Sequence, residues 1–499
     1  MTIELTVDEL EKVRLCSNCV GEAFLSTEIE RQGKETTCSY CVELGATYSI
    51  GQVADAVAIA FRDHYDLTES EPDLIEYHMT ADEEIDYVWQ REGDPVTEVI
   101  AEAAEVSEEV AEDVRKALEE RELEWFGYHE NPFDSEAQFV DKAADDAEYR
   151  ASWLRFEESL TTEGRFFNSF AEEILQDTFG DLEQFRSDNS VPIIITAGPQ
   201  TDMVAFYRAR VFQAYAKLEN ALKRPDLEVG PPPSRIASHG RMNPHGVSVF
   251  YGATDPNVAM AEVRPPVGSR VVVGRFEILR PVRLLNIKSL SSIAVRGSIF
   301  DRSFIERLRK ASFLSWLSDR IAQPVMPEDE PFEYLPTQAI AEFLAARSAV
   351  ELDGIIYPSV QSKEGANVVL FHKSSRIQEL NLPEGTDISV YSHDYTEEGE
   401  KSFYSVSEEV PSVTEHSDGL SDSEPDINDP ILLGPIHSDH EVSFDHREIT
   451  LQLDVKTLEV RYVKGVEFDT DKHEVLRHRS EKRLDLSTRE QNDLSTFRF

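Results

Sequence analysis

Gly240-Arg241-Met242-Asn243-Pro244-His245-Gly246-Val247-Ser248-Val249-Phe250-Tyr251-Gly252-Ala253, running on through Ala259-Met260-Ala261-Glu262-Val263, reads as a glycine-rich turn, a strand and a short helix. Glycines let a backbone approach a ligand closely. An arginine beside them offers a planar fork that binds two oxygens of a phosphate or carboxylate at once. Pro256 suits the first helical position and Asp255 the cap before it. If that helix folds back on the strand, Glu262 comes near Tyr251. Arginine, tyrosine and glutamate at strand and helix ends make a candidate active site. His239 and His245 read as solvent-facing turn residues, and no histidine pattern supports a Ser-His-Asp triad.

The chain around this stretch has 499 residues, enough for three or four domains, and 40% of them are hydrophobic. It carries 96 acidic against 49 basic residues, a formal net charge of -47. Such a field repels nucleic acid and anionic membrane, so neither is expected as a partner. An acidic, lysine-poor surface suits a halophilic, high-salt cytoplasm, where self-repulsion is screened within a few Å; higher melting in molar salt than in dilute buffer is the corresponding expectation. No apolar run is long enough to span a bilayer, and the first residues lack a basic segment followed by an apolar core. The expected location is cytoplasmic.

All four cysteines lie early, as Cys16-x2-Cys19 and Cys38-x2-Cys41. Two such knuckles surround a tetrahedral zinc, and four thiolates leave no open position, so the metal is structural. From about Gly51 to Phe185 the apolar residues recur at helical spacing, as in Val99, Ala103, Val106, Val110, Val114 and Leu118. Phe139–Tyr149 is read as part of this helical pattern. A ribonuclease of the HEPN type needs an arginine followed four to six residues later by a histidine. Arg62/His64 is too close and Arg121/His129 too far, so the helical region shows no such match and ribonuclease activity is not expected.

A new domain begins near Ser190. Phe206-Tyr207-Arg208-Ala209-Arg210-Val211-Phe212 alternates as a half-buried strand, and two arginines on one face of it could bind an anion. Strands follow at 270–278 and 282–287, helices at 303–321 and 337–348. Then Gly354-Ile355-Ile356-Tyr357-Pro358-Ser359 and Asn367-Val368-Val369-Leu370-Phe371 pair across a polar turn. Beyond Phe371 come strand-like residues 391–406, an acidic linker at 408–429, further strands over 442–466 and a locally basic tail.

In this order, Tyr207-Arg208, the Gly240–Gly246 turn, Val249-Phe250-Tyr251, Ala259–Val263 and the 354–371 strand pair resemble a RES domain over about residues 190–375. The family's turn usually carries Trp where this chain has Met242, a change remote from the chemistry. The cysteine pairs and helical region resemble, less specifically, an N-terminal domain fused to some RES domains. The expected architecture is α+β and multidomain: a zinc ribbon (1–48), a helical HEPN-like or RES-associated domain (49–187), the RES domain (188–375) with an ADP-ribosyltransferase-like mixed sheet, and a β-rich C-terminal extension (376–499).

The resemblance implies NAD as substrate and Arg208, Arg241, Tyr251, Glu262 and Ser359 as the site. Arg208 and Arg241 suit the pyrophosphate, Tyr251 the nicotinamide face, and Glu262 the oxocarbenium-like ribose; Ser359 would orient the substrate or Glu262. Bacterial relatives act as toxins that deplete NAD by hydrolysis or phosphorolysis, which brings in an antitoxin as a candidate partner. Protein ADP-ribosylation is the alternative reaction. A zinc-ribbon protein-binding module on a non-catalytic RES scaffold is the alternative class. The helical domain could restrain the site, in which case removing residues 1–185 would speed NAD loss.

Overall fold

The structure is a computed structural model that describes residues 10–479 apart from 11, 82–86, 127–130, 189–191, 363–364, 397–398, 412–444 and 468–469. Most of the acidic linker, the strand expected at 442–444, His129 and the basic tail from 480 onward lie outside the described residues.

The N-terminal part builds on the cysteine knuckles. Strands β1 (Arg14–Cys16), β2 (Lys34–Thr37) and β3 (Leu44–Ser49) form an antiparallel sheet in the order β1-β3-β2. Cys16 ends β1, Cys19 closes a 3-10 turn, and Cys38 and Cys41 sit on the turn after β2. Helix Ile50–His64 follows with a complete capping box between Ser49 and Gln52. It packs with helices Val96–Ala104 and Glu108–Phe126 around Val53, Val57, Ile100, Val114 and Leu118. Tyr40 ties the ribbon to this bundle by donating to Asp113 Oδ2 at 2.8 Å.

The helical reading of this region misses a small sheet of β4 (Tyr65–Leu67), β5 (Asp94–Pro95) and β6 (Gln138–Asp141). Phe139 is in a strand rather than a helix because its backbone pairs with Leu67 and Asp94, while its ring meets Phe61 edge-on at 4.9 Å.

The central sheet has ten strands: β7 (Ile194–Ala197), β8 (Ala205–Phe212), β9 (Phe250–Ala253), β10 (Arg270–Ile278), β11 (Val282–Asn286), β12 (Gly354–Pro358), β13 (Ala366–Leu370), β14 (Ile377–Gln378) and, after the hairpin β15 (Asp387–Thr396)–β16 (Gly399–Glu409), β17 (Leu451–Leu453) and β18 (Glu459–Tyr462). The order is β14-β17-β10-β8-β9-β13-β12-β11-β7, with β18 also on β10. Pairing is antiparallel except at β11/β12 and β14/β17. The C-terminal segment is thus built into the sheet: Leu451–Leu453 and Glu459–Tyr462 both pair with β10.

Alternation along the strands supplies two apolar faces. Leu285, Ile355, Tyr357 and Val369 point to one face, and Leu284, Ile356, Val368 and Leu370 to the other. The first face is covered by helices Arg302–Ala322 and Leu335–Ala346, and also by Ala147–Thr162 and Ser169–Phe179. Trp153, Phe156 and Phe179, which the sequence groups with the helical part, are therefore core residues of the sheet-bearing body. Helix Pro256–Glu262, started by Pro256 and capped by Asp255, lies over β8, β9 and β10 with Val258 and Ala259 buried against Ala209, Ala253 and Val271. No described helix is long and apolar enough to cross a membrane.

Candidate active site

The cleft forms where the sheet parts. Strands β8 and β9 share one pair, Tyr207 opposite Ala253. Gly252 permits this approach: a Cβ there would lie 2.5 Å from the Phe250 ring and 3.0 Å from the Tyr207 carbonyl oxygen. Past this pair, Arg208 Nη1 donates to the Tyr251 carbonyl at 2.8 Å, a side chain replacing a ladder bond. The resulting cleft, of about 140 Å3, is lined by Arg208, Tyr251, Glu262, Tyr357 and Asn367 together with small residues.

Glu262 ends its helix at the mouth of this cleft, exposed. Ser359 Oγ donates to Glu262 Oε1 at 2.6 Å and Asn367 Nδ2 donates to the same oxygen at 2.9 Å. The Ser359 hydroxyl accepts from the Gln361 N–H at 3.1 Å, which turns its proton toward the carboxylate. Both donors thus fall on one oxygen, and Oε2 has no hydrogen-bond partner among the described residues. A carboxylate held this way is oriented by the protein and presents its other oxygen outward.

Arg208 Nε is buried and makes no hydrogen bond among the described residues. Burial, with the neighbouring Arg210 charge, pushes its pKa down to about 10, so the cation persists at neutral pH. An unsatisfied buried donor on a cation is a vacancy for an anionic acceptor. Arg210 is turned away to Glu228.

Tyr251 has no hydroxyl to spare. Its OH donates to Asn243 Oδ1 at 2.8 Å and accepts from the Met242 N–H at 2.9 Å. Asn243 in turn donates to the carbonyls of Ser238 and Val247, both at 2.9 Å, which closes the turn. Gly240 is required here because a Cβ would sit 2.6 Å from the Tyr251 oxygen. Burial raises the Tyr251 pKa above its ordinary value, so the phenol stays neutral and offers its ring face rather than a proton. Tyr357 is likewise raised by burial, then by the neighbouring Tyr251 and Glu262.

Four of the five residues expected from sequence, Arg208, Tyr251, Glu262 and Ser359, meet at this cleft. Arg241 is placed elsewhere. Its guanidinium donates to the carbonyls of Ile321 and Gln323 (2.7 Å for the latter) at the C-terminal end of helix Arg302–Ala322 and stacks over the Tyr334 ring at 5.5 Å. It faces a second cavity beside the cleft. Asn367 and Tyr357 also line the cleft, and neither stands out in the sequence as a site residue. The signal for Asn367 was a lone amide at the start of an apolar strand, buried in the fold and so in need of a partner.

The four cysteines form a separate centre. Their sulfurs lie within 4.8 Å of one another, with Cys16–Cys41 at 3.5 Å, Cys16–Cys19 at 3.6 Å and Cys19–Cys38 at 3.9 Å. A zinc with four thiolates needs sulfur separations of about 3.8 Å, from Zn–S bonds of about 2.3 Å in a tetrahedron. The donor set fits. Burial works against the Cys38 thiolate, but N–H groups of Cys41, Tyr40 and Cys16 outweigh it and bring its pKa down to about 7.

Residues 207–388 match the RES domain family. The chain carries a RES domain. The matched span holds every residue of the cleft and stops short of β17 and β18, which complete the RES sheet. RES domains are linked to NAD-related toxin activity. No curated protein matches the chain. No solved structure matches it.

Proposed function

We propose that this protein is an NAD-consuming enzyme that cleaves the bond between nicotinamide and ribose. The observation that carries the reading is the half-saturated Glu262 carboxylate: one oxygen fixed by Ser359 and Asn367, the other open, at the mouth of a cleft floored by the half-buried guanidinium of Arg208 and the ring of Tyr251.

Heterolysis sends the bonding pair to the pyridinium nitrogen, releasing neutral nicotinamide and leaving an oxocarbenium-like ribose. Glu262 Oε2 would stabilise that charge and accept a proton from the ribose 2′-hydroxyl or from the incoming nucleophile. With water the products are ADP-ribose, nicotinamide and one proton; with phosphate, ADP-ribose 1″-phosphate and nicotinamide. Arg208 supplies the anion partner inside the cleft, and Tyr251, its hydroxyl already satisfied, a flat face for the cationic ring. The cysteine centre would hold a structural zinc and takes no part in these steps.

Chromatography of a reaction with NAD, with and without phosphate, tests the reading. Free nicotinamide with ADP-ribose or its 1″-phosphate supports it. Radiolabel from the adenylate half appearing on protein would instead indicate ADP-ribosyl transfer, and unconsumed NAD would leave the RES fold as a scaffold. A toxin or defence role, with an antitoxin partner, follows from this activity only if NAD loss arrests growth of expressing cells.

A further inference from the structure

Most hydrogen-bonding groups around the cleft are already committed. Met242 and Asn243 saturate the Tyr251 hydroxyl, and Ser359 and Asn367 hold one oxygen of Glu262. Two neutral groups remain open. The Tyr357 hydroxyl makes no hydrogen bond among the described residues, and Asn367 Oδ1 accepts none. Chemistry fixes which end of the Asn367 amide is which. A carboxylate only accepts, so the amide must turn its nitrogen to Glu262 and leave its oxygen free.

The fold sets these two groups side by side. Tyr357 and Asn367 are direct partners in the β12/β13 ladder. Direct partners share a face of the sheet, with Cβ atoms about 4.5–5.5 Å apart. Tyr251 is on the same face of the neighbouring strand, opposite Val369. Tyr357 is 9% exposed and Asn367 5%, whereas Glu262 is exposed, so the open pair lies inward of the carboxylate. Burial raises the Tyr357 pKa, which keeps the phenol a donor at neutral pH.

A neutral donor beside a neutral acceptor complements a primary carboxamide, whose carbonyl accepts while its N–H2 donates. A carboxylate brings no N–H for Asn367 Oδ1 and meets the charge of Glu262. An ammonium brings no acceptor for the phenol. The cleft, of about 140 Å3, is below the range of about 300–1,000 Å3 for drug-sized ligands and so suits a single ring.

We infer that Tyr357 and Asn367 read the carboxamide of the leaving nicotinamide, the phenol donating to its carbonyl oxygen and Asn367 Oδ1 accepting from its N–H2; this rests on the NAD reading above. The ring then lies against Tyr251, and the ribose comes to the mouth, where Glu262 stands. Tyr357 is thus a specificity residue: it selects the base that leaves.

The test compares NAD with the analogue that carries plain pyridine in place of nicotinamide, in wild type and Tyr357→Phe. The difference in leaving-group chemistry is the same in both proteins and cancels. Expected is a fall of about 3- to 10-fold in the preference for NAD, measured as the ratio of kcat/KM values, on loss of one neutral hydrogen bond. Melting temperature checks that the variant folds. Binding of free nicotinamide, followed by NMR, should weaken by the same factor in the variant. Nicotinic acid, which has no N–H for Asn367 Oδ1, should bind wild type about tenfold or more weakly than nicotinamide. An undiminished preference in a folded Tyr357→Phe protein, or equal binding of nicotinamide and nicotinic acid to wild type, would overturn the inference while NAD cleavage stood. Nicotinamide binding that depends on Tyr357 in a protein that leaves NAD intact would uphold the carboxamide site and refute the NAD-cleaving reading.

Discussion

Ser359 and Glu262, 97 residues apart in the chain, are joined by a 2.6 Å hydrogen bond that fixes one carboxylate oxygen at the mouth of the cleft. Asn367 reinforces the same oxygen. If this geometry aims Oε2 at the ribose, Ser359→Ala and Asn367→Ala each lower kcat by about 10- to 100-fold with a smaller change in KM, the cost of a misaimed group. Asn367→Asp, which sets a second carboxylate against Glu262, costs more than Asn367→Ala. Steady-state NAD kinetics on the four proteins check this ordering.

The cysteine centre and the cleft belong to different cores, the first with Leu15, Leu25 and Ile29, the second with the central sheet. The expected metal content is one zinc per chain. Chelation should melt the ribbon and lower the first thermal transition while nicotinamide release continues at close to its normal rate. Cys38→Ser should lose the zinc and reproduce the effect.

The matched residues 207–388 hold only part of the core and sheet of the body they lie in. They leave out Trp153, Phe156 and Phe179, which fill one face of the sheet, and β17 and β18, which cover the edge of β10. A fragment of 207–388 should be insoluble or bind hydrophobic dye, whereas 146–466 should give a cooperative melt. In the full chain, Trp153→Ala should cost about 3–5 kcal/mol in urea unfolding. For the same reason, removal of residues 1–185 would unfold the sheet-bearing body rather than release a restrained enzyme.

Asp445 anchors the return of the chain to the sheet. Hydrogen bonds from the Arg447 side chain, at 2.9 and 2.6 Å, hold its pKa down to about 2. A carboxylate whose folded pKa is depressed stabilises the fold above its unfolded value, about 3.9, and that contribution is lost as pH falls through the folded value. The difference in urea midpoint between wild type and Asp445→Asn should therefore be full at pH 5 and shrink toward zero near pH 2. A difference independent of pH would show that Asp445 acts by shape alone.

Much of this was legible in the residues. The cysteine spacing, the Asp255–Pro256 helix start and the Tyr207–Arg208, Tyr251, Glu262 and Ser359 positions all follow from local pattern, and the fold brings them together. The direction of Arg241 was not legible, because it is set by carbonyls 80 and 82 residues away at a helix end. Nor was the place of Leu451–Leu453, whose short alternation says strand but not which strand it pairs with. Asn367 reads from sequence only as part of a strand; its hydrogen bond to Glu262 depends on a helix end 105 residues earlier. Each of these is a long-range contact, and a periodicity read over a dozen residues carries no information about partners at that separation.

The most direct test is nicotinamide release from NAD by the purified full-length protein and by Glu262→Gln, which keeps the size of the side chain and removes its charge. Steady release by wild type, reduced by about 10²- to 10⁴-fold in the variant, with the melting temperature unchanged, is the expected outcome. Equal release by both proteins, or none from a folded wild type, would overturn the assignment of Glu262 as the group that acts on the ribose.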